Sequence, residues 1–241
     1  RPTYRMIDFA LSNLAATAAI SNVGILTQYR PFSLIAHVGI GVAWDFAGTR
    51  RSVRILPPYV GPQGAAWYRG TADAIYQNLD YIQHHRPDVV LILAGDHIYK
   101  MDYELMIRQH VDTGADVTVG CLTVPRADAS AFGVMAIDDD LRITSFLEKP
   151  KDPPGMPGDP TRTLASMGIY VFRPEVLREA GVLPRQHVVA FLQGRLDPAV
   201  RETEYPPPDP VQVHLTGAGV REQVFVRTGA IHLVHGMSVG A

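Results

Sequence analysis

The sequence predicts an α/β domain built on a mostly parallel sheet, and three observations carry that prediction. The run from Val89 to Ala94 is continuously apolar and rich in Val, Leu and Ile. A short run of that kind suits a central parallel strand buried on both faces. Strand-like and helix-like stretches alternate along much of the chain, which is the order of β-α-β units with right-handed crossovers. With 241 residues, 46% of them apolar, the chain is long enough for one large domain and an appendage.

Charge and cysteine content narrow the class. The formal net charge is −2, with both signs mixed, which is not the basic footprint of a nucleic-acid binder. The single cysteine, Cys121, excludes an intrachain disulfide framework and suits a reducing cytoplasm. No apolar run reaches about 18 residues, so no membrane-spanning helix is expected, and no signal-peptide pattern opens the chain. The chain begins at Arg1 without an initiator Met, so the expectation is an N-terminally truncated domain.

Residues 8 to 22 read as a helix, with Asp8 a possible N-cap. A short strand from Val23 to Tyr29 follows and carries Gln28 at its carboxyl end. A glutamine amide both donates and accepts, so Gln28 either reads a nucleobase edge or is an ordinary loop residue. Pro31 to His37 begins another helix. The stretch from Trp44 to Gln63 is irregular, with Arg50, Arg51 and Arg54 on a solvated face or near phosphate. At Trp67-Tyr68-Arg69-Gly70-Thr71-Ala72-Asp73-Ala74 a glycine turn enters a helix bearing Ile75, Leu79 and Ile82. A helix N-terminus can hold an anion, and Gly70 allows a ligand close to the backbone. The alternative is a plain loop-to-helix junction. His84 and His85 are neighbours and do not share a helix face, so they read as a helix end and not a metal pair.

The apolar run ends at Gly95-Asp96. A carboxylate just past the carboxyl end of a central strand lies where open α/β sheets bind ligands, which makes Asp96 either a chemical group or a turn residue. Asp102 can cap a helix with Tyr103, Met106, Ile107, His110 and Val111 on one stripe and Gly114 at its end. Residues 116 to 124 read as a strand. Residues 132–137 and 141–147 read as a hairpin around Asp138-Asp139-Asp140, a solvated turn without calcium-loop spacing. Its second arm ends at Glu148-Lys149-Pro150. Lys149 is either a point-charge phosphate anchor or half of a surface ion pair. A proline-rich loop, a strand from Ala165 to Phe172 and a helix starting at Pro174 complete this part. Beyond Gly181 no period is sustained. Val224–Val226 and Ile231–Val234 are possible short strands, and poor order is expected from 181 to about 210.

Six segments occur in order: Tyr-Arg-Met-Ile-Asp-Phe-Ala-Leu-Ser-Asn from residue 4, Trp-Tyr-Arg-Gly-Thr-Ala-Asp-Ala from 67, Ala-Gly-Asp-His-Ile-Tyr-Lys from 94, Ala-Phe-Gly-Val-Met from 131, Glu-Lys-Pro from 148 and Ala-Ser-Met-Gly-Ile-Tyr-Val-Phe from 165. Together they resemble the bacterial glucose-1-phosphate adenylyltransferases, also called ADP-glucose pyrophosphorylases, over roughly residues 1 to 180. The resemblance implies a three-layer, Rossmann-like nucleotidyltransferase domain. It implies adenylyl transfer from ATP to glucose 1-phosphate, giving ADP-glucose and pyrophosphate for glycogen synthesis, with allosteric control. By the same resemblance Asp96 holds Mg²⁺, and Lys149 holds the sugar phosphate and shares the catalytic role. Glu148 and Ser166 contact sugar hydroxyls, with Tyr68 and Gly133 lining that pocket. Gln28, Gly70 and Thr71 lie around the nucleotide. The family is homotetrameric.

Two departures accompany the resemblance. The family's glycine-rich phosphate loop lies upstream of the first matching segment, and residues 181–241 match neither the end of the catalytic domain nor the β-helix that follows it. Residues 1–180 therefore read as the catalytic domain without that loop, and 181–241 as a divergent or poorly ordered tail. Such a chain is an incomplete and inactive form of the enzyme, a non-catalytic sugar-phosphate- or nucleotide-binding regulatory subunit, or a nucleotidyltransferase for another nucleotide and sugar.

Overall fold

The computed structural model describes residues 4–28, 31–58, 60–61, 64–65, 67–68, 70–95, 98–139, 142–181 and 223–228. The chain divides into two units, Arg1–Pro87 with Gly95–Glu104, and Asp88–Ala94 with Leu105–Ala241.

In the first unit, helix α1 (Met6–Ala16) buries Ala10, Leu11 and Leu14, positions three and four apart on one face. Asp8 is not the N-cap expected of it. It sits in the first turn, where one carboxylate oxygen accepts the Arg5 N–H at 2.8 Å in a capping box. Its other oxygen meets His37 Nε2 at 2.5 Å, near the end of α2 (Phe32–Val38). Arg5 Nη1 donates to the Ser33 carbonyl of the same helix at 2.7 Å. Strands β1 (Asn22–Leu26) and β2 (Ser52–Leu56) pair in parallel, with Asn22 opposite Ser52 and Leu26 opposite Leu56. Strands β3 (Val60–Gly61) and β4 (Gly64–Ala65) make a short antiparallel ladder.

Among the three arginines of this region, Arg51 has a structural duty. Its guanidinium donates to the carbonyls of Leu14, Ala15, Thr17 and Ile20 and lies 4.3 Å over the Phe46 ring. It thereby closes the C-terminal end of α1, whose last carbonyls have no partner within the helix. The single helix expected from Thr71 to His85 is instead two, α3 (Thr71–Gln77) and α4 (Leu79–His85). Asn78 makes the break. Its side-chain amide donates to the Ala74 carbonyl at 2.8 Å and to the Tyr68 hydroxyl at 3.0 Å. Asparagine favours such local bonds over the helical ladder. His84 and His85 meet ring edge to face at this helix end, and no group of metal-ligating side chains forms among the described residues.

The second unit is organised around a long strand. Strands β5 (Val90–Leu93), β6 (Val117–Pro125), β7 (Gly133–Ile137), β8 (Ile143–Glu148), β9 (Arg162–Phe172) and β10 (Gln223–Thr228) form one sheet. Strand β6 runs along one edge of β9. The other edge of β9 takes β5 opposite Ile169–Phe172 and β7 opposite Leu164 and Ala165. Strand β8 extends β7, and β10 extends β6.

Strand direction here differs from the mostly parallel expectation. The parallel pair is β1 with β2, and every pairing in this larger sheet is antiparallel. Strands β5 and β6 do run the same way, as a β-α-β unit requires, because Val90 and Val117 both face Phe172. The reversed β9 lies between them. Its eleven residues are mostly buried, so this apolar strand takes the centre and fills both edges. Nothing in the composition of β5 specified which way its neighbour would run.

Helix α5 (Tyr103–Thr113) starts as expected, with the Asp102 carboxylate accepting the Glu104 N–H at 2.9 Å. Tyr103, Met106, Ile107 and His110 are buried, and His110 Nδ1 pairs with the Thr118 hydroxyl at 2.8 Å. Val111, expected on the same stripe, is 59% exposed. At about 100° per residue it falls beyond the edge of the face those four define. Gly114, at φ 57°, ends the helix in the left-handed turn that glycine favours. Helix α6 (Pro174–Gly181) follows β9. The possible strand at Val224–Val226 falls within β10, whereas Ile231–Val234 lies outside the described residues, as does the 182–210 stretch. No described helix is long and apolar enough to cross a membrane.

Candidate functional site

Four of the expected site residues come together in the second unit, where β7, β8 and β9 meet. Gly133 faces Glu148 across the hairpin, Lys149 follows Glu148, and Val134 faces Ala165, the neighbour of Ser166. The position of Ser166 follows from a bulge in β9. Gly120 of β6 faces Ile169, but Cys121 faces Ser166, so Met167 and Gly168 are extra. A bulge bends the strand and re-aims its side chains, and bulges recur beside active sites. Gly168 takes φ 66°, a conformation that glycine adopts freely. Its N–H is 3.2 Å from the Ser166 hydroxyl, which accepts it. Its carbonyl accepts the Ala94 N–H at 3.2 Å, which sets the bulge beside the carboxyl end of β5.

Tyr170 completes this cluster, and the sequence reading did not single it out. Its hydroxyl lies 3.4 Å from the Ser166 hydroxyl. Burial pushes the phenol pKa up, the nearby Cys121 and Glu148 add to the rise, and the Ser166 hydrogen bond opposes it. Tyr170 is therefore a neutral hydroxyl at physiological pH, able to donate. The available signal was its even spacing from Ser166 in one strand, which puts both on one face.

Glycine at 133 allows a close approach of two side-chain ends. A Cβ there would lie 2.9 Å from Glu148 Oε2 and 2.9 Å from the Phe146 ring. The bare backbone lets the Glu148 carboxylate lie across the start of β7. Lys149 is exposed and adopts φ 47°, a left-handed conformation that costs a side-chain-bearing residue about 1 kcal/mol. Its N–H donates to the Phe132 carbonyl at 3.0 Å. Asp45 and Arg86 also take positive φ, and Lys149 is the case that lies beside this cluster.

The remaining described residues lie in the first unit. The Leu56 carbonyl accepts both the Thr27 N–H at 3.1 Å and the Tyr68 hydroxyl at 3.3 Å. Gln28 and Tyr68 thus flank the carboxyl ends of the parallel β1–β2 pair, with Gln28 exposed. That end of an α/β sheet is where ligands bind. Tyr68, expected beside the sugar, belongs to this first-unit group. Gly70 precedes Thr71, the first residue of α3, at φ 150° and ψ 179°, a region essentially limited to glycine. No atom lies within 4 Å of where its Cβ would be, so the requirement is conformational, not steric. Asp96 lies outside the described residues.

Comparison with known proteins decides the family. The family model described as nucleotidyl transferase matches residues 2–190. The chain belongs to the nucleotidyl transferase family. Curated relatives are similar over a comparable length. A glucose-1-phosphate adenylyltransferase of Jannaschia sp. (strain CCS1) is 59% identical over 177 residues, 73% of this chain and 42% of that protein. One of Granulibacter bethesdensis is 57% identical over 175 residues, 72% of this chain and 41% of the relative. One of Sinorhizobium fredii is 55% identical over 177 residues, again 73% and 41%. The chain spans about four tenths of the length of these relatives. The polar groups described above lie at strand ends and at a strand bulge.

Proposed function

We propose that this chain carries the sugar-phosphate half and part of the nucleotide half of a glucose-1-phosphate adenylyltransferase, with residues 1–180 as its catalytic domain. The observation that carries the reading is the convergence of Gly133, Glu148, Ser166 and Tyr170 beside a left-handed Lys149. An ammonium is a compact charge suited to a sugar phosphate. A carboxylate and two hydroxyls together accept from and donate to sugar hydroxyls. In the first unit the Gln28 amide supplies both a donor and an acceptor for an adenine edge, and Gly70 lets a ligand approach the turn before Thr71. The reaction is in-line attack of the glucose 1-phosphate oxygen on the α-phosphorus of ATP, with departure of pyrophosphate. Such transfer relies on positioning and charge neutralisation, with no covalent protein intermediate. Assembly as a homotetramer belongs to the same reading.

Nucleotidyltransferases generally use a divalent metal, and the finer reading is Mg²⁺ held by Asp96. The donor chemistry fits. Among the described residues no three His, Cys, Asp or Glu side chains gather as a metal site. Mg²⁺ is commonly held by one or two carboxylates together with substrate phosphates, so a single protein carboxylate suffices. When bound, it would neutralise charge on the triphosphate.

Product analysis with paired substrates tests the proposal. The full chain, given Mg²⁺, is offered ATP or UTP with glucose 1-phosphate or mannose 1-phosphate. ADP-glucose and pyrophosphate from the first of each pair is the expected result. Preference for another pair would overturn the substrate assignment, and ligand binding without any product would place the chain with non-catalytic regulatory subunits.

A further inference from the structure

Lys149 is exposed and is followed by a proline-rich loop in which Pro153 is buried. What fixes it is the short 3₁₀ segment Arg126–Ala131 that joins β6 to β7. Both ends of that segment bind the residues around Lys149. At its far end, the carbonyl of Phe132 accepts the Lys149 N–H at 3.0 Å. At its near end, the Arg126 side chain reaches the residues that come next. Nε donates to the Pro153 carbonyl at 2.5 Å, and Nη2 donates to the Asp152 carboxylate at 2.8 Å. The Arg126 backbone N–H also donates to the Thr161 carbonyl at 2.9 Å, on the return side of the loop. The segment is itself anchored: Ala129 is fully buried in a cluster with Val124, Val134 and Ala165, against which Phe132 packs.

We propose that Arg126 is a positioning residue for sugar-phosphate binding. Through Asp152 and Pro153 it pins the loop on the carboxyl side of Lys149, and so holds that lysine in its left-handed conformation with the ammonium presented to the phosphate. A left-handed lysine relaxes to an ordinary φ unless the chain is held on both sides. Phe132 holds the amino side. Arg126 holds the carboxyl side, and it does so with two diverging N–H groups of one planar guanidinium, which a lysine at 126 does not reproduce. The ion pair alone is worth little, because its Asp152 side chain is 89% exposed. The bond to the Pro153 carbonyl is the one that fixes the backbone.

This inference rests on the sugar-phosphate reading of Lys149, and the test separates the two. Glucose 1-phosphate is titrated calorimetrically into the full chain as wild type, Arg126→Ala, Arg126→Lys, Lys149→Ala and the Arg126→Ala/Lys149→Ala double variant, with melting temperatures alongside. Arg126→Ala is expected to weaken binding about fivefold to tenfold, with Arg126→Lys recovering little of it. Groups that act through one another are non-additive, so in the Lys149→Ala background, whose own affinity is about a hundredfold lower, Arg126→Ala should weaken binding no further. Unchanged affinity in Arg126→Ala would overturn the inference and leave the reading of Lys149 intact. So would an equal further loss in the Lys149→Ala background, or a loss matched by general destabilisation in the melt, since each makes Arg126 merely structural. Failure of the wild type to bind glucose 1-phosphate would overturn the sugar-phosphate reading itself, and the inference with it.

Discussion

A methyl group at residue 133 would lie 2.9 Å from Glu148 Oε2 and from the Phe146 ring, so these side-chain ends must shift to admit it. Gly133→Ala must therefore swing the Glu148 carboxylate away or spread the β7–β8 hairpin. We expect glucose 1-phosphate affinity to fall about tenfold, the scale of one charged hydrogen bond, with little change in melting temperature. Calorimetry and a thermal melt together check this, and full affinity in that variant would remove Glu148 from the sugar contacts. Single residues were the most legible level of this chain. Gly133, Glu148, Lys149 and Ser166 stood in segments whose order pointed to them, and the fold brings those four to one place. Tyr170 was passed over because its segment reads as an ordinary buried strand. Only the bulge at Met167 and Gly168, which depends on pairing with β6, shows how its hydroxyl comes within reach of Ser166.

Elements were legible where their signals are local. The hairpin of β7 and β8, the Asp102 cap and the glycine end of α5 all follow from neighbouring residues. The break at Asn78 did not, since it depends on the Tyr68 hydroxyl ten residues earlier. Arg51 belongs to the same class, as a distant side chain that ends α1. Replacing it with methionine keeps bulk over Phe46 but leaves four carbonyls without their cation. Arg51→Met should cost about 2–3 kcal/mol, as the loss of charged hydrogen bonds does, read from the urea midpoint. A midpoint within error of the wild type would mean that water satisfies those carbonyls equally well.

At the scale of the whole molecule, the sequence announced an α/β chain, and the family match over residues 2–190 agrees. Strand direction was less legible. The apolar run at β5 is equally compatible with a parallel or an antiparallel neighbour, and the choice was made by β9, whose paired residues lie 76 to 82 positions further on. The division of labour is clearer. On the proposed reading the first unit carries the groups for a nucleotide, at the carboxyl ends of β1 and β2, and the second carries those for a sugar phosphate. On that reading the second set forms a glucose 1-phosphate site whose anionic end is held by Lys149. Titration of the full chain with glucose 1-phosphate, wild type against Lys149→Ala, tests it most directly. Saturable binding that weakens about a hundredfold in the variant, at an unchanged melting temperature, is the result predicted from the loss of one charged contact. Equal binding by both proteins would contradict the account.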